Sequence, residues 1–597
     1  YREVMRYILL FLFLSNSLIA QEVLSTLKSN PRENKSVFLK NKASLSLPFF
    51  DDFSSPNISS NLWIGNSTFI NNNYPINPPT IGVVTFDGLD SMGYAYDINM
   101  SNNSGYADEL LSQEIDMSNV DTAYLLFFHQ PQGHGDNPQV QDSLILEFLS
   151  DSLGFKSWKK VWSVSGSSLR EFKKNVLMVF EQEFLHSSFQ FRFRNIATLS
   201  GNFDHWHIDY VKFDTYISSI DTSSINDVAF VYQGPSFLKR YREMPWKHFQ
   251  DNSVNEINDT LNLFIRNNQA SINVDYQYNV YQDNIIIDHY PSLGISRNIT
   301  VLDYDSIGNF SFENPPVSIN PNVFPSNFSD STEFLIQHII GTGSSDLKTN
   351  DTIYNLQKFH SHFAYDDGSV ESAYGINVSG AMAAYQFELN RPDTIRAIQM
   401  YFPQMLDSVN NIEFLLTIWE DNNGSPGNII HQQIEKPKHT STNNFHFYYL
   451  DSLFQLTGVF YVGWQQNTAD LLNIGLDKNS YANNYMFYNV GGLWNNSQYS
   501  GAWMIRPIVS ENTVFLSSND ILSTFKVYPN PASSYVKIQT NDFSNRIILY
   551  DLNGNMLLNK IYNQNQIEIS VDFLSSGIYV LKVINDSGYI YRKIIIR

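Results

Sequence analysis

Two groups of histidines supply residue types that could bind a metal ion. His129 and His134 enclose a short Gly- and Pro-containing segment that leads to Asp136, and His205 and His207 lie two residues apart in a predicted strand. Because side chains two apart on a strand point to the same face, His205 and His207 share a face, and strand pairing could bring His129 beside them. Such imidazoles could bind a transition metal. The alternative is a solvated face of the terminal strand that carries polar residues.

Five aspartates near predicted strand ends offer the oxygen ligands that Ca²⁺ prefers. This hard cation takes about six to eight oxygens from carboxylates and loop carbonyls. No EF-hand loop with its twelfth-position glutamate is present in the sequence, so any such site has another form. The alternative is that these carboxylates cap turns. The predicted calcium ligands are Asp51, Asp52, Asp87, Asp90 and Asp209.

Aromatic residues crowd the segment 491–503. Trp494, Tyr499 and Trp503 lie there among Gly, Asn and Ser, and exposed rings of this kind could stack on sugar rings. The alternative is that they belong to a core, because aromatic residues make up 15% of the chain and such clusters arise easily.

Familiar catalytic motifs are missing from the sequence. The patterns His-Glu-x-x-His, Gly-x-Ser-x-Gly and Gly-x-x-x-x-Gly-Lys do not occur. A carboxylate pair for glycoside hydrolysis stays open, since the sequence does not set the distance between two acids on different strands. We expect a protein that is not an enzyme, with an exported hydrolase of polysaccharide or peptide as the alternative.

Charge and cysteine content exclude several classes of function. The formal net charge of −21 and the pI of about 5.0 argue against binding nucleic acid or an anionic membrane by bulk electrostatics. The chain has no cysteine, which excludes disulfides, thiolate nucleophiles and Cys-based metal sites. A length of 597 residues is too great for one core and predicts roughly four domains.

Short alternating runs of aromatic and β-branched residues predict an all-β protein. They are separated by turns rich in Asn, Asp, Gly and Ser. The segment 170–184 is the best helix candidate, but its apolar centre fits a buried strand equally well. Strand lengths and turn spacing predict tandem β-sandwiches. The predicted modules are a jelly roll at 45–215, an Ig-like sandwich at 225–350, a second jelly-roll-like sandwich at 360–510 and a small Ig-like module at 524–597, after a polar linker at 511–524.

The last module carries four motifs in order. They are a Tyr-Pro-Asn-Pro turn, Leu-Tyr-Asp-Leu-Asn-Gly, Leu-Ser-Ser-Gly-Ile-Tyr and a basic final strand. This order resembles the type A sorting domain of the Bacteroidetes type IX secretion system. The resemblance implies export through the periplasm to the cell surface or medium, with the secretion machinery as a partner. The matching residues are Tyr528, Pro529, Asn530, Pro531, Gly554, Gly577, Tyr579, Arg592 and Lys593.

The other end of the chain resembles a secretory signal peptide. Residues 5–20 begin with Met5 and Arg6 and continue through a short apolar run to small and polar residues. We expect cleavage after Ala20, with Ser17 as the alternative position, and treat residues 1–4 as preceding the start Met. No other stretch approaches 18 uninterrupted apolar residues, so no transmembrane segment is expected.

The first module opens with Phe-Asp-Asp-Phe and closes with Trp-x-Ile-Asp-x-Val. These terminal strands resemble MAM and laminin-G-like sandwiches of the concanavalin type, which are found in bacterial adhesins and often hold Ca²⁺. The resemblance implies an adhesin-like protein, secreted or on the cell surface, whose ligand is a glycan or a protein. Ca²⁺ is the one cofactor it suggests. A structural component of the surface layer without a discrete ligand is a further alternative.

Overall fold

Strands dominate the computed structural model, which confirms the all-β prediction. The predicted signal peptide and the linker at 511–524 lie outside the described residues, as does Gly554. Among the helices that are described, none is long and apolar enough to cross a membrane. The structure describes residues 22–32, 44–65, 67–99, 103–215, 227–267, 272–291, 297–301, 311–313, 319–327, 329–341, 346–405, 411–440, 444–509, 526–540, 544–551, 556–585 and 588–597.

The first sandwich packs two antiparallel sheets around a core of aromatic and aliphatic side chains. One sheet has the order β10-β7-β12-β5-β4, with β2 also paired to β12, and the other has the order β3-β6-β11-β8-β9. Alternate residues of each strand face inward, as the buried Phe191 and Phe193 show. The strands are β2 Phe49–Asp51, β3 Trp63–Ile64, β4 Phe69–Asn71, β5 Val83–Phe86, β6 Ser104–Ser112, β7 Ala123–Pro131, β8 Ser143–Ser152, β9 Phe155–Ser165, β10 Lys173–Val179, β11 Phe191–Thr198 and β12 Trp206–Asp214; β1, Glu22–Ser25, pairs elsewhere.

The second sandwich contains the one α-helix of the described residues, α1 (Trp246–Glu256). Pro245 precedes it, and Trp246 and Phe249 are buried. Its sheets have the orders β13-β14-β18 and β16-β15-β19-β20, with β17 paired to β15. The sequence analysis did not predict this helix. The segment 170–184, its best helix candidate, contains strand β10 instead, in agreement with the alternative given for its apolar centre. The strands are β13 Val228–Phe230, β14 Leu263–Asn267, β15 Ile272–Gln282, β16 Ile285–Tyr290, β17 Arg297–Val301, β18 Ser311–Glu313, β19 Thr332–Gly341 and β20 Thr352–Phe359.

The third sandwich is built on two long strands, β22 and β25, in a seven-stranded sheet. Its order is β24-β23-β25-β22-β27-β28, with β30 also paired to β22, and the facing sheet has the order β1-β21-β26-β29. Tyr241 of the second sandwich packs on Phe363 and Tyr365, so one continuous core extends through both. The strands are β21 Ser372–Ile376, β22 Met382–Met400, β23 Phe414–Asp421, β24 Pro426–Glu435, β25 His446–Gln466, β26 Ile474–Asp477, β27 Met486–Asn489, β28 Trp494–Asn496, β29 Ala502–Trp503 and β30 Ile505–Val509; a 3₁₀-helix spans Asn483–Tyr485.

Residues 22–32, the bridging segment, join the first and third sandwiches. Strand β1 pairs with β21, and the buried Glu22 accepts hydrogen bonds from Tyr374 Oη (2.7 Å) and Ser497 Oγ (2.6 Å). Further along, Asn202 N of the first sandwich donates to Leu27 O. Arg32 forms an ion pair with the buried Asp87. The segment therefore contributes a strand to the third sandwich and the cation of a buried carboxylate to the first.

The C-terminal domain has its own hydrophobic core, made of residues between 527 and 596. Its two antiparallel sheets have the orders β31-β32-β35 and β34-β33-β36-β37. A separate core of this kind is what a domain that folds independently requires. The strands are β31 Lys526–Tyr528, β32 Tyr535–Gln539, β33 Ser544–Tyr550, β34 Met556–Asn563, β35 Gln566–Ser570, β36 Gly577–Asn585 and β37 Gly588–Ile596.

Candidate functional site

An aromatic cluster covers the outer face of the seven-stranded sheet. Ala384, Trp419, Tyr461 and Phe487 are buried there, on the face opposite the core. Trp494 of β28 closes over this outer cluster, with its ring 5.6 Å from that of Trp419 in an edge-to-face arrangement. Trp494 itself is half-buried, so part of its ring remains accessible to a ligand.

Polar groups border the outer cluster. Tyr461 Oη donates to Asp421 Oδ1 (2.9 Å) and accepts from Gln386 Nε2 (2.7 Å). Arg240 of the second sandwich reaches the same side of the sheet and donates to Glu388 Oε2 (2.8 Å). Aromatic rings beside carboxylate and amide groups can offer both stacking and hydrogen bonding to one ligand.

The three aromatic residues predicted to stack on sugars do not lie together. Trp503 is fully buried in the core between the two sheets, where no ligand reaches its ring. Tyr499 packs against that core and donates its hydroxyl to Glu22 O (3.3 Å). Only Trp494 lies on the outer face. The sequence analysis did not select its partner Trp419. The signal was the alternation of β23: Ile418 faces the core, so the next residue, Trp419, points to the outer face of the sheet.

The five predicted calcium ligands are not gathered into one site either. Asp87 pairs with Arg32, and Asp90 accepts hydrogen bonds from Met92 N and Tyr94 N in its own turn. Asp51 accepts from Phe53 N and Trp63 Nε1. Within the described ranges, no group of three or more His, Asp or Glu side chains is placed to hold a metal ion.

Asp52 and Asp209 do come close, at a junction that the sequence did not indicate. There they meet two aspartates of the second sandwich, Asp227 just before β13 and Asp346 between β19 and β20. Asn350 Nδ2 donates to both Asp52 Oδ2 (3.3 Å) and Asp227 Oδ2 (3.0 Å). Burial, and then the charge of Asp346, raise the pKa of Asp227 to about 9. Burial likewise raises the pKa of Asp209. Sequence reasoning had no signal for this contact, because it joins two modules.

We expect Asp227→Asn to stabilise the protein at neutral pH. A carboxyl whose pKa is raised by folding binds more protons in the native state, so stability falls as pH rises from about 4, the ordinary pKa of Asp, towards 9. The amide removes this loss and can still accept a hydrogen bond from Asn350. Melting temperatures between pH 5 and pH 9 should decline less in the variant than in the wild type. Asp116→Asn, at an exposed position, is the control and should leave the slope unchanged.

The three histidines of the predicted metal site are buried but do not converge: the rings of His205 and His207 are 6.5 Å apart, and His129 packs against Trp162 and Trp206. His129 Nδ1 lies 2.7 Å from Asn175 Nδ2, His205 Nδ1 accepts from Asp136 N (3.0 Å), and His207 Nδ1 lies 2.9 Å from Thr85 Oγ1. Burial lowers the pKa of His129 and of His207 to about 3, so both are neutral at pH 7. The solvated face offered as the alternative is also wrong, because all three residues are buried.

Two glycines explain why these histidines are covered. A Cβ on Gly133 would lie 2.5 Å from His207 Nε2, and one on Gly135 would lie 2.3 Å from the ring of His205. The loop after β7 can therefore pack on both imidazoles only because it lacks side chains at these positions. The pattern Gly133-His134-Gly135 was the sequence signal that could have indicated this close packing of the loop.

In the C-terminal domain, Asn530 ties the Pro-rich turn to the last strand. Its Nδ2 donates to Lys593 O (2.8 Å), and its Oδ1 accepts from Ile595 N (2.9 Å). Tyr579 donates its hydroxyl to Ser575 O (2.8 Å) within the Ser-Ser-Gly turn. Tyr528 is exposed in β31. Pro529 and Pro531 flank Asn530, Gly577 begins β36, and Arg592 and Lys593 lie in β37.

Comparison with known families identifies this domain. Residues 526–597 match the secretion system C-terminal sorting domain family. Proteins that carry this domain are exported by the type IX secretion system, and this chain is therefore delivered to the cell surface or secreted.

Two further similarities, each covering more than half of the chain, are remote. A probable capsid protein 3 of Acanthamoeba polyphaga mimivirus is 22% identical over 360 residues, which is 57% of this chain and 16% of the viral protein. Among solved structures, PorZ, a surface component of the type IX secretion system of Porphyromonas gingivalis, aligns over 56% of this chain and 50% of its own, with 10% identity and a TM-score of 0.12. A TM-score this low does not indicate a shared fold.

Proposed function

We propose that this chain, which the type IX secretion system exports, is a non-catalytic protein that binds carbohydrate on the outer face of its third sandwich. The observation that supports this is the pair formed by Trp494 and Trp419 beside the polar groups of Tyr461, Gln386 and Asp421. The apolar face of a pyranose can stack on the accessible part of Trp494, while its hydroxyls exchange hydrogen bonds with the half-buried Gln386 and the exposed Asp421. Tyr461 is fully buried and holds these two side chains in place.

The contacts between the sandwiches support a role of the first sandwich in holding the third, so that the outer face of the third is available to a ligand. The first sandwich contacts the third through Lys478 Nζ, which donates to His134 O (2.7 Å), and through the bridging segment. We propose that the first sandwich is related to the MAM and laminin-G-like class and that the module boundaries lie near 45–215, 225–350 and 360–510. According to this proposal, the first two sandwiches support the third, and the sorting domain is the signal for their export.

We expect Trp494→Ala to weaken carbohydrate binding at least tenfold. Losing the contact of one aromatic face costs ~1.5 kcal/mol or more, and about 1.4 kcal/mol corresponds to a factor of ten in Kd. The mature protein would first be screened on an array of bacterial and plant polysaccharides. The strongest hit would then be titrated by calorimetry with the wild type and the variant.

Phe155→Ala is the matched control, because Phe155 is an exposed aromatic residue in the first sandwich. Trp494→Phe tests folding, since it keeps an aromatic cover on the outer cluster and should bind with intermediate affinity. The proposal fails if no polysaccharide on the array binds, or if Trp494→Ala binds as tightly as the wild type. Release of shorter sugars from a bound polysaccharide would indicate a hydrolase instead.

A further inference from the structure

Two loops at one end of the first sandwich bring buried carboxylates together. One loop follows β7 and contains Asp136 and Asp142, and the other lies between β11 and β12 and contains Asp204. Asp142 and Asp204 are 1% and 0% exposed. None of the three belongs to the aspartates that sequence analysis selected for calcium.

Each of the two most buried carboxylates has one oxygen that no donor satisfies. Asp142 Oδ2 accepts from Gln139 N (2.9 Å), and Asp204 Oδ2 accepts from Thr198 N (2.7 Å), but Oδ1 of both residues lacks a hydrogen-bond partner. The two side chains are near enough to act on each other's ionisation. Burial, and then the charge of Asp204, raise the pKa of Asp142 to about 6.

The surroundings add a third carboxylate, Asp136, and one cation, Lys478, whose Nζ donates to His134 O in the same loop. Asp136 lies beside Asp204, with its Oδ2 accepting from Asp204 N (3.4 Å) and its Oδ1 from Thr26 Oγ1 (3.1 Å) of the bridging segment. In the same loop as Asp204, the amide oxygen of the buried Asn202 also has no donor. Buried oxygens without a hydrogen-bond donor destabilise the folded state unless a proton or a cation neutralises them.

We propose that Asp142 and Asp204 bind a Ca²⁺ ion between their Oδ1 atoms. Ca²⁺ takes only oxygen ligands and accepts flexible geometry, so two carboxylates can be completed by main-chain carbonyls and water. The ion joins the loop after β7 to the loop before β12. An exported protein without cysteine gains here a link between loops that a disulfide would otherwise supply. This inference does not depend on the carbohydrate proposal.

Calorimetric titration of the metal-free full-length mature protein with CaCl₂ tests the site. The wild type should bind one ion, and Ca²⁺ should raise the melting temperature by several degrees relative to EDTA. Asp142→Asn and Asp204→Asn should each weaken binding at least tenfold and remove the melting shift. Both substitutions keep the side-chain shape, and their melting in EDTA reports whether they fold. Asp121→Asn, an exposed aspartate of the same sandwich, should bind as the wild type does.

Two results would overturn the proposal. Identical melting in EDTA and in millimolar CaCl₂, with no heat of binding, would mean that the carboxylates share a proton. In that case stability would fall as pH rises from about 4 to about 6, since folding raises the pKa of Asp142, and Asp142→Asn would remove the decline. Binding that persists unchanged in both Asn variants would place the ion elsewhere.

Discussion

Deletion of residues 525–597 is expected to abolish export while leaving the three sandwiches folded. The sorting domain match covers this segment, and its core is formed by its own residues, so the rest of the protein loses no core side chain. The truncated protein should accumulate in the periplasm and be almost undetectable outside the cell. Immunoblots of cell fractions measure the distribution, and thermal melting of the purified truncation measures folding.

A reporter fusion is the complementary control. A periplasmic fluorescent protein followed by residues 511–597 should reach the surface or medium, whereas the same fusion with Asn530→Ala should be retained in larger part. Asn530 is chosen because its side chain holds the Pro-rich turn to β37 by two hydrogen bonds. Normal export of the truncated protein would contradict the role assigned to this domain.

Glu22→Ala is expected to destabilise the third sandwich by about 3 kcal/mol. The substitution removes a buried carboxylate that accepts hydrogen bonds from Tyr374 and Ser497, and each hydrogen bond to a charged group contributes ~1.5–3 kcal/mol. It leaves two hydroxyl groups without an acceptor in a closed environment. Thermal melting should show a drop of several degrees in the transition of this sandwich.

Glu22→Gln is the matched control. Both hydroxyl groups donate to Oε1, so one amide oxygen can still accept both bonds, while the bond from Gln498 N to Oε2 is lost, and the variant should lose less stability than Ala does. Limited proteolysis adds a second readout, since release of β1 should expose residues 22–32 to cleavage. An Ala variant with wild-type melting and wild-type resistance to proteolysis would show that this contact does not hold the bridging segment.

Local patterns made the fold class and the sorting domain predictable. Each strand shows its alternation of apolar and polar residues within a short segment. The motifs around Asn530 and Tyr579 form turns whose side chains bond to Lys593 O in the last strand and to Ser575 O four residues away. The helix α1 was missed because its mixed polar sequence has little periodicity, and its stability depends on Trp246 and Phe249 packing into the core of the second sandwich.

The candidate sites were harder to predict because they depend on contacts between distant segments. Nothing local distinguishes the buried Trp503 from the half-buried Trp494, which lie in the same aromatic segment but on different sheets. Asp227 reaches Asp52 only because two sandwiches dock. The pairing of Asp142 with Asp204 likewise requires two loops separated by several strands to fold against each other.

The bridging segment has a consequence for the order in which the chain folds. Glu22 and its partner Tyr374 are 352 residues apart, and Glu22 and Ser497 are 475 residues apart. Loop closure over such distances costs entropy that an already assembled partner sheet can offset, so we expect β1 to dock after β21 and β26 have paired. During vectorial synthesis and transport the segment emerges hundreds of residues before that sheet exists. Although it is synthesised hundreds of residues before the sheet that it joins, this segment is therefore among the last to reach its native neighbours.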